Sequence, residues 1–89
     1  MPTPTIGRIV LYQLAEQDAA TITAVRQQTG RQGNSVRAGD VFPALVVGVW
    51  AGSSGPLNLS VFLDGQDTHW ATSRVEGREP GNWAWPDRT

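Results

Sequence analysis

Asp40-Val-Phe-Pro-Ala-Leu-Val-Val-Gly-Val-Trp50 is a continuous apolar run, and its reading decides the fold. Its β-branched and aromatic content favours a strand, and a strand apolar at successive positions is buried on both faces or stands near the middle of a closed sheet. Pro43 is tolerated only at the start of such a strand. Gly48 in its interior marks a bulge, a barrel corner or the close approach of another backbone.

Working outward from this core strand, Ala51-Gly-Ser-Ser-Gly-Pro56 turns the chain. Residues Leu57 to Leu63 then alternate, with Leu57, Leu59, Val61 and Leu63 on one face and Asn58, Ser60 and Phe62 on the other, the pattern of a half-buried strand. Asp64-Gly65 opens a turn, Thr68 to Val75 forms a fourth strand, and Glu76 to Gly81 makes another polar turn. Asn82-Trp-Ala-Trp-Pro86 is a last short strand with Trp83 and Trp85 on one face.

Upstream, Ile6 to Leu14 is rich in β-branched residues and reads as the first strand. From Ala15 to Gln28 the period changes: Ala15, Ala19, Ile22 and Val25 fall at helical spacing, with Glu16 and Asp18 early and Arg26 late, as the helix dipole prefers. Gly30 is a natural C-cap. Thr29 to Gly39 has turn composition without a period and is expected to be a mobile loop. Five short strands with one short helix inserted after the first predict a mainly β fold, a small SH3-like barrel, with a ubiquitin-like roll as the competing architecture. Residues 1–5 read as a flexible leader, 6–86 as a single β-barrel-like domain and 87–89 as a tail.

The 89 residues lie near the lower end of what one core can stabilise, so a second domain is not expected and a homo-oligomer is an open alternative. The absence of cysteine removes disulfides, thiolate metal sites and cysteine nucleophiles. No apolar run approaches the ~18 residues of a membrane span, and Met1-Pro-Thr-Pro-Thr5 has no signal-peptide character, which predicts no membrane association. A formal charge of −1 lacks the basic footprint of a duplex nucleic-acid binder. All seven basic residues are arginine, a usage explained by codon bias in a GC-rich genome or by selection for bidentate forks that grip phosphate or carboxylate.

Catalytic chemistry finds little support. The single histidine, His69, serves as a paired general base only with a distant carboxylate, and Asp64-Gly-Gln-Asp67 lacks the further ligands of a calcium loop. Ser53 and Ser54 sit in a glycine turn without a nucleophile elbow, and no metal or cofactor is expected. Asn58-Leu-Ser60 fits a glycosylation sequon that stays unmodified without a secretory signal.

Tryptophan carries the functional signal, since Trp50, Trp70, Trp83 and Trp85 crowd the second half of a small chain. A barrel of this size holds about two indoles, and the others either seal barrel ends or an oligomer interface, or form a surface aromatic patch. The candidate ligand- or partner-binding residues are Phe62, Trp70, Arg74, Arg78, Trp83 and Trp85: aromatic faces to stack on a planar group and guanidinium groups to grip an anion. Trp83→Ala or Arg74→Ala would then abolish binding and leave the fold intact.

Ile6-Gly-Arg-Ile-Val10, Ala38-Gly-Asp-Val-Phe-Pro-Ala-Leu-Val-Val-Gly-Val-Trp50, Val61-Phe-Leu-Asp-Gly65, Trp70-Ala-Thr-Ser73 and Gly81-Asn-Trp-Ala-Trp-Pro86 together resemble a group of small, Trp-ending proteins encoded by actinobacterial phages and their hosts. The resemblance runs along nearly the whole chain and departs from the group's pattern at Leu11, where a polar residue or histidine is common. It implies a source and a barrel, but transfers no functional residue. The function expected is a non-enzymatic phage accessory binding protein in the host cytoplasm, capturing a small planar ligand such as a nucleotide signal or blocking a host defence protein. A virion decoration protein docking through its aromatic strand is the alternative.

Overall fold

A computed structural model describes residues 3–49 and 55–86; Trp50 and the Ser53-Ser54 turn lie outside them. The elements are β1 (Ile9–Gln13), α1 (Glu16–Thr29), β2 (Val41–Val49), β3 (Leu57–Phe62), β4 (Thr68–Arg74) and β5 (Trp83–Ala84). Each falls inside the segment expected to hold it, except that α1 runs one residue further, through Thr29. The first strand starts later than expected because Gly7 takes a left-handed φ of 95° and the Arg8 N–H turns back to the Thr5 carbonyl at 3.1 Å.

The five strands form one antiparallel sheet in the order β4-β3-β2-β1-β5. β1 is paired on both sides, with Leu11 opposite Pro43 of β2 and Ala84 of β5. Among the described residues the sheet is open, with β4 and β5 as its edges, so the mainly β class with one inserted helix is observed without the closure expected of a barrel.

One face of the sheet makes the core. Val10, Tyr12 and Leu14 from β1 and its end, Leu57, Leu59 and Val61 from β3, and Trp83 from β5 are all buried there, following the period of two. β2 departs from its reading. Only Ala44 and Val46 are buried, while Val41, Val47 and Val49 are exposed, because a single sheet covered on one side leaves the second apolar face of its central strand in solvent. Gly48 does mark a bulge, where the register against β3 shifts and Asn58 packs so close that an added Cβ would lie 3.1 Å from its Nδ2. Pro43 lies inside β2, not at its start. Val46 directs its N–H and C=O to the β1 side, so Pro43, three residues away, faces β3, where the ladder begins only at Ala44.

The helix attaches mainly by polar contacts. Of its expected apolar stripe only Ile22 is buried and Val25 is exposed. The Asp18 carboxylate accepts the Ala15 N–H at 2.8 Å, which supplies an N-terminal cap, and Gly30 at φ 74° ends the helix with its N–H on the Arg26 carbonyl. The following loop is not loose, as its composition had predicted. Gly33 bridges Gly65 in the β3–β4 turn, Asn34 N–H donates to the Asp64 carbonyl at 2.8 Å, and Arg26 forks onto Asp67 at 2.9 and 3.1 Å.

Candidate functional site

The exposed face of the sheet is built by the residues that alternate with the core. β1 contributes Ile9, Leu11 and Gln13; β2 contributes Val41, Pro43 and Leu45. Ser60 and Phe62 of β3 stand opposite Trp70 and Thr68 of β4, and Ala84 of β5 stands opposite Leu11. None of these side chains is charged, although 15 residues of the chain are Asp, Glu or Arg. An antiparallel sheet with one solvated face ordinarily alternates apolar in and polar out. Here Trp70 is 63% exposed, Val41 51%, Ile9 47% and Phe62 41%. They form an apolar surface of the kind that marks a contact with another molecule.

At the β1–β5 side this face sinks into a hollow of about 270 Å³, floored by Leu11, Val41 and Ala84 and walled by Arg78, Asn82 and Trp85. The 75–82 turn that walls it is pinned by Asn82, whose Oδ1 accepts the Glu79 N–H at 3.2 Å and whose Nδ2 donates to the Val75 carbonyl at 3.3 Å. The turn is tied to β1 through Gly81 N–H to the Gln13 carbonyl at 2.7 Å. Gln13, which also lines the hollow, holds its side-chain oxygen shielded from solvent and without a hydrogen-bond partner among the described residues.

A second polar cluster lies on the core side. The buried Asp18 carboxylate accepts hydrogen bonds from Tyr12 Oη at 2.5 Å, the Ala15 N–H, and Arg74 at 3.2 Å, and pairs with His69 Nε2 at 3.0 Å. Burial pushes the Asp18 carboxyl up, but hydrogen bonds from Tyr12, Ala15 and His69 and the charge of Arg74 outweigh it and hold it below the usual carboxylate value. Burial, and then the bond to Asp18, push the Tyr12 hydroxyl well above the ordinary phenol range. His69 thus has the distant carboxylate that sequence spacing left undefined, from 51 positions away. That carboxylate is shared with three other donors, which makes it the tie between α1, β1 and β4.

The six residues singled out from sequence separate into four places. Trp83 is core, 3% exposed, and meets Trp85 edge to face at 5.4 Å. Arg74 faces the core side, bonded to Asp18 and lying over the Tyr12 ring at 5.8 Å. Trp85 and Arg78 share the hollow, with the Arg8 guanidinium 5.2 Å from the Trp85 ring centroid. Phe62 and Trp70 lie on the same outer face, toward its opposite edge. Sequence reasoning missed Ile9, Leu11, Val41 and Leu45, because a run apolar on both faces reads as doubly buried unless the second covering layer is known to be absent. No protein-family model matches the chain, and comparison with characterised proteins and with solved structures likewise finds no match.

Proposed function

We propose that this protein is a non-enzymatic binding protein that docks the outer face of its sheet on another protein. The half-exposed surface running from Trp70 to Ala84, with no charged strand position, carries this reading, since a partner that covers it removes mainly apolar area from water. The full occupation of Asp18 by structural donors favours a binding role over acid–base chemistry. The strand order, in which β5 returns to β1 and the helix fills the β1–β2 connection, is compatible with a half-open SH3-like barrel. In the setting implied by the resemblance to phage proteins, the protein works in the host cytoplasm against a host defence protein, with a virion role as the alternative.

The test is a photo-crosslinking amino acid placed at Trp70 or Phe62 in cells that carry the protein at native level, with Ala24 on the exposed side of α1 as control. Discrete adducts from positions 70 and 62 but not 24 support the reading; no adducts, or equal labelling from all three, overturns it. Capture of a planar anionic ligand is a second reading, favoured by the convergence of Trp85 and Arg78 on one hollow, where the unpartnered Gln13 oxygen would accept an N–H of the planar group. Native mass spectrometry of freshly purified protein tests it: bound excess mass that Trp85→Ala removes supports ligand capture, and bare protein counts against it.

A further inference from the structure

We infer that the protein covering the outer face is a second copy of this chain, packed sheet against sheet about a two-fold axis that runs along β2. The inference rests on the reading of that face as a docking surface and names its occupant. Three observations support a copy over an unrelated partner.

The face is compatible with itself. A two-fold contact sets each side chain against the same surface patch, so any charged position would be repeated on both sides. The strand positions of this face carry no charge, and their polar members, Ser60, Thr68 and Gln13, are small or neutral.

The face also carries a projection toward one edge and a depression toward the other. Trp70, the most exposed aromatic side chain among the described residues, stands on edge strand β4, and the hollow under Arg78 lies between β1 and edge strand β5. β2 is the central strand of the order β4-β3-β2-β1-β5, so rotation about it exchanges the two edges. Trp70 lies in the row of Ser60, Leu45 and Ile9, so each Trp70 then stands beside Ile9 of the other copy, just past the end of β5, and Phe62 is set over Leu11 in the floor of its hollow. A two-fold axis across the strands would instead stack β4 on β4 and leave both hollows uncovered.

The area suffices. Five strands ~4.8 Å apart, from two residues long in β5 to nine in β2, with protruding Trp70, Phe62 and Ile9, present roughly 600 Å² of accessible surface per copy. A face-to-face pair therefore buries about 1,200 Å², the lower limit for specific interfaces.

The test uses the whole chain, purified alone, in sedimentation equilibrium from about 1 to 500 μM. A monomer–dimer equilibrium that Trp70→Ser weakens at least ~10-fold, with unchanged circular dichroism and no effect from Ala24→Ser, is the expected result. A monomer throughout the range overturns the inference. If crosslinks from position 70 in cells then join a different protein, the docking reading stands without the dimer; if position 70 gives none, both fall. The axis is tested separately. Thr68 stands opposite Phe62, and Pro43 and Ala84 stand opposite Leu11; Pro43 and Phe62 are the positions next beyond the Ala44–Val61 pair, so rotation about β2 sets Thr68 of one copy over Ala84 of the other. In a chain free of native cysteine, Thr68→Cys with Ala84→Cys should oxidise to a covalent dimer while either variant alone should not. Efficient dimerisation of Thr68→Cys alone overturns this axis.

Discussion

Tyr12 and Asp18 meet hydroxyl to carboxylate across 2.5 Å in the buried seam between β1 and α1, and the same carboxylate faces His69 and Arg74 of β4. Since the helix buries only one apolar side chain, Ile22, this polar tie and the Arg26–Asp67 ion pair are what seat α1 on the sheet. Asp18→Asn keeps the shape but removes the charge and leaves at least one of these donors facing an amide nitrogen. We predict a loss of about 2–4 kcal/mol for Asp18→Asn and about 1–2 kcal/mol for Tyr12→Phe, read by urea denaturation. Equal stability of Asp18→Asn and the native chain would show that the helix is held elsewhere.

The same seam sets the pH range of stability. Asp18 sits below its ordinary value in the folded chain, so its contribution is present above the unfolded carboxylate value of about 3.9 and is lost as pH falls through that region. Asp67, held low first by its hydrogen bond from Arg26, adds to the same acid limb. Tyr12 is raised, so its contribution is present below the unfolded phenol value of about 10 and is lost as pH rises past it. Thermal midpoints should form a plateau that declines at both ends, and Asp18→Asn should flatten the acid decline. An acid limb unchanged in that variant would assign it to other carboxylates.

The loop after α1 depends on two glycines. A Cβ on Gly65 would lie 2.6 Å from the Gly33 Cα and 2.7 Å from the Gln32 carbonyl oxygen, both backbone atoms that cannot rotate away. Gly65→Ala is therefore expected to cost about 1–3 kcal/mol and to speed amide hydrogen exchange at Asn34 and Gln66, whose N–H groups bond across this contact. Unaltered exchange at both would mean that the loop and turn separate without loss.

Trp83 and Trp70 should respond in opposite ways. Trp83→Ala empties a core site and is expected to cost about 3–5 kcal/mol, enough to unfold much of a domain this small. Trp70→Ala should leave the stability of the dilute chain within about 0.5 kcal/mol. Denaturation curves of both variants at low micromolar concentration check the pair, and a stable Trp83→Ala chain would contradict its place in the core.

Much of the local structure was legible because it depends on near neighbours. The strict alternation of Leu57 to Phe62, the change of period at Ala15, the Gly30 cap and the Gly48 bulge are each properties of a few consecutive residues, and the structure has them where the sequence places them.

What sequence could not decide was which faces are covered and which distant polar groups meet. Val41 to Val49 is apolar on both sides whatever lies above it, and only the open sheet leaves Val41 and Val47 exposed. Asp18, His69 and Arg74 are unremarkable polar positions in the chain; antiparallel pairing of β3 with β4 and the seating of α1 bring them within hydrogen-bond distance. Periodicity along the chain reports a residue's side of its own element. The identity of what stands opposite is set by strand order and helix placement, which depend on the chain as a whole.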